Sequence, residues 1–184
     1  AWTNGLLDLP GNPMQPKRVP VHWIEAPEDP SLHLGHFPVS FWQVPGRERL
    51  EVPGNHTEFY ILPAIGPASQ MKIAFHNKLA YCNPMTLDRT VFPDEVDGIK
   101  DMIERFLPSL HHCPITSEVC MYTMTSDGHF YLGKRPGSEN VYSAALAGHG
   151  FKFAPVLGEM LADLMTDQFP GIDIKMFSPD RFGR

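Results

Sequence analysis

The sequence predicts an α+β protein: a largely antiparallel sheet with flanking helices. Three observations predict it. Short apolar runs rich in aromatic and β-branched residues follow one another, each bounded by Pro, Gly or Asn. Two other stretches switch to a helical period. The 184 residues also include 19 prolines, about twice the usual ~5%, which disfavours an all-helical bundle because proline interrupts helix interiors.

Residues 1–10 (AWTNGLLDLP) read as a short helix or turn. Residues 17–24 (KRVPVHWI) partly alternate and read as a strand, near a sheet edge because Pro20 has no N–H for a ladder. Residues 26–38 carry Pro27, Pro30, Gly35 and Pro38 and read as an irregular loop. Strands are predicted at 39–44 (VSFWQV), 58–62 (EFYIL) and 71–76 (MKIAFH). Over 95–107, Val96, Ile99, Met102, Ile103, Phe106 and Leu107 share one helical face, with Asp94 as N-cap and Pro108 as the stop. Strand-like text returns at 117–125, 129–132 and 140–146. After Gly148-His149-Gly150 comes a second amphipathic helix over 152–167, burying Phe153, Val156, Leu157, Met160, Leu161, Leu164 and Met165. Pro155 falls in its first turn, where proline is tolerated. In the tail, IDIKMF (172–177) reads as a short strand.

Composition narrows the function. Apolar residues at 42% and charged residues at 20% exclude a chain disordered throughout. No apolar run approaches the ~20 residues of a membrane helix. A net charge of -6 with no Lys/Arg stripe argues against binding nucleic acid through phosphates. Cys82, Cys113 and Cys120 are too few, and odd in number, for a disulfide framework, so a reduced, cytoplasmic protein is expected. The chain opens on Ala1 with no signal-peptide pattern and reads as processed or as a piece of something longer.

Chemistry concentrates in two places. In the strand over 71–76, Lys72 shares a face with Ala74 and His76, opposite Met71 and Ile73, which suits a polar pocket. The strand over 117–125 places Cys120 and Tyr122 on one face and Met121 and Thr123 on the other. The Gly-rich turn at 148–150 lets a ligand approach the backbone closely. Free N–H groups at the following helix start suit a phosphate, a carboxylate or an electron-rich carbonyl. The alternative is a tight packing turn with no ligand. Lys152 beside that helix start opposes the dipole, which points to an anion there. Other patterns are discounted: His111-His112-Cys113 has no second ligand pair at zinc-site spacing, and the acidic cluster at 94–97 reads as a helix-start bias. Asn55-His56-Thr57 fits a glycosylation sequon that has no meaning in a reduced compartment.

Taken together, EVCMYTMTSDGHFYLG (118–133) and AGHGFKFAPVLGEML (147–161) resemble the C-terminal half of the monomeric sarcosine oxidase family. These are flavin-dependent amine oxidases of the D-amino acid oxidase superfamily, N-methyltryptophan oxidase and pipecolate oxidase among them. AWTNGLL resembles the family's Gly-Ala-Trp segment, SQMKIAFH its lysine-bearing strand and MFSPDRF its near-C-terminal segment. The likeness covers nearly the whole chain.

The resemblance implies an FAD cofactor joined through the Cys120 sulfur to the flavin 8-methyl carbon, with Met121 beside it. It implies that Lys72 lies near flavin N5 and activates dioxygen, and that His76 is an active-site histidine. Lys152 would help hold the substrate carboxylate. Gly148, His149, Gly150 and Phe151 would line the pyrimidine side of the ring. Tyr60 and Tyr122 match substrate-pocket aromatics, and Trp42 is a further candidate; Cys82 and Cys113 match nothing. The implied reaction oxidises the C–N bond of an N-methyl or cyclic secondary amino acid with O2, giving an imine and hydrogen peroxide.

The resemblance also implies a layout: 1–16 as the end of an FAD-binding domain, 17–115 as the substrate-binding sheet, and 116–184 as the flavin-linking strand, Gly-rich turn and helix returning to the FAD domain. The family's Gly-x-Gly-x-x-Gly Rossmann unit and substrate-binding arginines are absent from these residues. The expectation is therefore that this polypeptide alone binds FAD poorly and needs an N-terminal half from the same gene or a partner chain. Trp2 and the apolar face over 153–165 would pack against that half. Two rivals stand beside this reading: a dehydrogenase of the same superfamily that does not use O2, and a non-catalytic subunit or interaction module.

Overall fold

The computed structural model describes residues 1–9, 11, 13–45, 56–65, 69–76 and 79–182. Pro10, at the end of the first predicted stretch, and Asn55 of the sequon lie outside them. The elements run α1 (Thr3–Leu7), β1 (Met14–Glu25), β2 (Ser40–Pro45), β3 (His56–Leu62), β4 (Gln70–Phe75), β5 (Ala80–Tyr81), α2 (Pro93–Phe106), β6 (Ile115–Thr125), β7 (Tyr131–Lys134), β8 (Tyr142–Ala145) and α3 (Ala154–Met165), with short 3-10 turns between. Two compact units form. A sheet unit takes residues 18–80 and 88–120; a hairpin unit takes 1–17, 81–87 and 121–184.

In the sheet unit the strand order is β2-β3-β4-β1-β5, with β6 also paired to β1. The β2–β3, β3–β4 and β1–β4 ladders are antiparallel. Register decides which side chains meet. Trp42 faces Phe59, Phe59 faces Phe75, Ile61 faces Ile73 and Ile24 faces Met71, so these lie on one face. That face packs on α2 through Ile99, Met102 and Ile103, and on Leu110. Each such fully buried side chain stabilises the unit by roughly 1.5–3 kcal/mol relative to exposure.

Two expectations change here. First, β1 is not an edge strand: it lies between β4 and β5. Its ladder with β4 spans His22–Glu25, beyond Pro20, so the missing N–H costs that ladder nothing. Second, α2 starts at Pro93, with Phe92 rather than Asp94 as its N-cap. Proline fits the first helical turn, and the residue before it is held extended, as Phe92 is at ψ 149°. The Glu95 carboxylate accepts the Phe92 N–H at 2.9 Å. The same carboxylate pairs with Arg18 (Nη2–Oε2 3.1 Å). Arg18 also donates to the carbonyls of Asp88 and Thr90, so one guanidinium ties β1 to the approach of α2.

Beside this contact lies a cavity of about 220 Å³ lined by Pro20, His22, Phe75, Asp94 and Glu95. His22 is buried, and its Nδ1 is 2.7 Å from the Ser117 hydroxyl. Burial pushes the His22 pKa down to about 4, against a smaller upward pull from Glu95.

In the hairpin unit, β7 and β8 pair antiparallel, with Tyr131 opposite Ala145 and Leu132 opposite Ala144. Leu132 packs with Leu157 and Met160 of α3; Tyr131 packs with Leu9, Met14 and Ala145. This corrects the expectation that the whole apolar face over 153–165 waits for another domain. Its middle is buried within the unit, while Phe153, Val156 and Met165 remain exposed, as does Trp2. The predicted strand at 172–177 is also corrected: Lys175–Phe177 is a 3-10 turn. There the Asp173 carboxylate accepts the Lys175 N–H at 2.9 Å, a local bond that competes with a ladder. Among the described residues, no helix is long and apolar enough to cross a membrane.

Candidate functional site

The open face of the sheet unit is built by the residues that alternate with its core. In β4, Met71 and Ile73 are wholly buried under α2, while half-buried Lys72 and His76 share the opposite face with Ala74. Trp23 is the cross-strand partner of Lys72, and the Lys72 Nζ lies 5.5 Å from the centroid of its ring. Tyr60 faces Ala74, and Phe41 faces Tyr60. The Phe41 ring meets His76 edge-on, 5.2 Å between centroids and 77° between planes. Tyr60, Lys72 and His76 thus lie on one face of the sheet. The structure adds Trp23 and Phe41, which the sequence did not single out. Their signal was only period-two alternation, and alternation selects a face once the register with β4 is known.

Trp42 is a correction. It points to the core, stacked on Phe59 at 5.7 Å and tilted against Phe106 at 5.4 Å. The β2 register pairs it with Phe59, so its neighbour Phe41 takes the open face instead.

Cys120 is exposed on β6, whereas Cys82 is half-buried and Cys113 packs against the sheet core. Cys120 is therefore not a small hydrophobe filling the interior. The residue before it is fixed by Arg89, whose Nη1 donates to the Val119 carbonyl at 2.8 Å.

In the hairpin unit, the His149 N–H closes a turn on the Leu146 carbonyl at 3.0 Å. Ala147 and Gly148, its central residues, have φ of 46° and 74°, the signs of a type I′ turn. A Cβ on Gly148 would fall 2.4 Å from Tyr122 Cγ, and one on Gly150 would fall 2.0 Å from Leu146 Cβ. Internal packing alone therefore demands both glycines. The Lys152 ammonium donates to the His149 carbonyl at 3.0 Å and lies 5.1 Å from the Phe153 ring centroid. The carbonyl answers the charge conflict at the helix start, so Lys152 does not by itself require an anion. The Phe151 side chain is 92% exposed, and the His149 ring lies 5.1 Å from that of Phe130. A cleft of about 530 Å³ in this unit, whose lining includes Lys134, Tyr142, Gln168 and Lys175, contains none of the predicted site residues. Among the described residues, no group of three or more His, Cys, Asp or Glu is placed to hold a metal.

Comparison with known proteins gives this arrangement a family. A family model described as FAD dependent oxidoreductase (DAO) matches residues 1–164. The monomeric sarcosine oxidase of Streptomyces avermitilis is 32% identical over 189 residues, covering 98% of this chain and 46% of the relative. The peroxisomal sarcosine oxidase of Homo sapiens is 33% identical over 189 residues with the same two coverages. The chain spans a little under half the length of these relatives. Among solved structures, the L-proline dehydrogenase from P. horikoshii has the same fold at TM-score 0.74 and 20% identity, covering 99% of this chain and 45% of that one. With a family match over most of its length and an antiparallel sheet of that fold, the chain belongs to the FAD dependent oxidoreductase family.

Proposed function

We propose that the chain supplies the substrate-facing sheet and the flavin-ring contacts of an amine oxidase acting on an N-methyl or cyclic secondary amino acid. The dinucleotide-binding segment is assigned to residues beyond these 184, and the setting to a reducing compartment such as the cytoplasm, on the ground that three cysteines are too few and odd in number for a disulfide framework. One observation carries the reading: an ammonium, Lys72, held half-buried on a sheet face otherwise lined by Trp23, Phe41, Tyr60 and His76. A solvated strand lysine has no need of a tryptophan ring across the ladder and further aromatics on the same face.

The residues present fit a flavin. Cys120 offers an exposed thiol for a thioether, and Phe151 beside the glycine turn offers an exposed aromatic surface. When bound, FAD accepts the hydride equivalent from the carbon next to the substrate nitrogen. The protein's residues do the rest. Phe41 and Tyr60 wall the apolar flank of the amino acid and exclude water. Lys72 fixes a positive charge where negative charge develops on dioxygen, and such preorganised charge needs no rearrangement during the reaction. His76, braced by Phe41, completes that face. Lys152, at the end of a flexible stem, is the cation for the substrate carboxylate, and Tyr122 takes the role of a pocket aromatic. Gly148, His149, Gly150 and Phe151 would serve the flavin's pyrimidine side, and Cys120, followed by Met121, would supply its covalent link.

The test is a peroxide assay on the complete FAD-loaded protein with sarcosine, N-methyltryptophan, L-proline and L-pipecolate. Hydrogen peroxide formed in step with the loss of at least one of these is the expected result. Flavin that these amines reduce, but that air does not reoxidise, makes the protein a dehydrogenase and overturns the oxidase reading.

A further inference from the structure

We propose that Trp23 is a positioning residue for Lys72: its indole holds the ammonium at a fixed place over the sheet face before dioxygen arrives. The inference rests on the oxidase reading above, in which Lys72 is the charge that dioxygen meets.

Lysine carries its charge on a flexible four-carbon stem with freely rotating donors, so it needs an external restraint to act as a preorganised charge. The ring of tryptophan is the best aromatic partner for a cation, effective within about 6 Å of its centroid. Trp23 meets both conditions: it is directly across the ladder from Lys72, with Nζ 5.5 Å from its ring centroid. The partner on the other side of Lys72 is Leu62, which has no such attraction to offer. Trp23 is itself well anchored. Its chain neighbours His22 and Ile24 are 1% and 0% exposed, and His22 is bonded to Ser117. The backbone that carries the indole is thus fixed by the core beneath it, and the ammonium is held by the indole.

Two measurements on the complete protein test this. The first needs no activity. In a carbon–proton spectrum of lysine-labelled protein, the Lys72 ε-methylene, assigned by its disappearance in Lys72→Arg, is expected upfield of the other lysines because it lies over the ring. Trp23→Leu should return it to the ordinary position, and Trp23→Phe should leave part of the shift. The second is stopped-flow reoxidation of the dithionite-reduced holoenzyme by oxygen. Trp23→Leu should slow it about tenfold, the scale of a desolvated cation–ring contact, and Trp23→Phe should recover most of the loss. In a Lys72→Met background, Trp23→Leu should slow it no further. An unshifted ε-methylene, or a Trp23→Leu enzyme that reoxidises normally while Lys72→Met is slow, overturns the positioning role and leaves the oxidase reading standing. Normal reoxidation in Lys72→Met overturns both. Should Trp23→Leu fail to fold, Trp23→Tyr and Trp23→Phe take its place. An ε-methylene shift and a reoxidation rate that both decline from Trp through Tyr to Phe support the role, and values equal to the parent's in both variants overturn it.

Discussion

Ala147 pairs a buried side chain with a left-handed backbone, φ 46°. A Cβ in that region costs roughly 1–2 kcal/mol. Ala147→Gly removes the strain at the expense of a buried methyl group, so urea unfolding should show it neutral or up to about 1 kcal/mol more stable. Its neighbour behaves oppositely. Gly148→Ala drives a Cβ into the Tyr122 ring and should lower stability by about 2 kcal/mol or more. His22 gives the matching pH effect. Its folded pKa of about 4 lies below the ordinary ~6.5, so the unfolded chain binds the extra proton first. The stability His22 contributes is complete above ~6.5 and is lost as pH falls towards 4, by on the order of 3 kcal/mol. Unfolding curves for His22→Asn between pH 7 and 4 should be flatter than those of the parent, with Arg18, Asp94 and Glu95 unchanged around the site. At this scale the sequence was legible where alternation alone decides, as for Lys72 between Met71 and Ile73. It was not legible for Phe41 against Trp42, two adjacent aromatics whose faces depend on the pairing partner.

Among the elements, α2 was legible because its buried stripe repeats at helical period, and Ile99, Met102 and Ile103 are indeed its buried residues. Its start was misplaced by a residue pair, since the strongest local signal, an acidic residue before the run, competed with Pro93 and a glutamate serving from inside the first turn. Glu95 both accepts the Phe92 N–H and pairs with Arg18, whose side chain is only 11% exposed. Glu95→Ala therefore loses a cap and leaves a mostly buried cation without its carboxylate, held only by the Asp88 and Thr90 carbonyls and the Phe92 ring, and should cost about 2–3 kcal/mol in urea unfolding. Glu95→Gln keeps the cap acceptor and should lose less. The tail shows the opposite limit. Residues 172–177 alternate well enough for a strand, but a single Asp173 side chain bond turns the backbone away, and no periodicity encodes that choice.

For the whole molecule, the α+β architecture was legible from punctuation by proline and glycine, and the family from two long motifs. What the sequence hid was which packing belongs to the chain itself. Gly148 and Gly150 carry the marks of a ligand turn and yet are also required by Tyr122 and Leu146; the face of α3 looked unpartnered and yet half of it closes on β7. The flavin assignment therefore depends less on the glycines than on the exposed thiol of β6. Acid precipitation of the complete FAD-loaded protein tests it most directly. Yellow fluorescence that stays with the protein pellet, and is released wholly into the supernatant by Cys120→Ala, is the expected result. Flavin that leaves the unaltered protein on precipitation, or remains bound in Cys120→Ala, would contradict it.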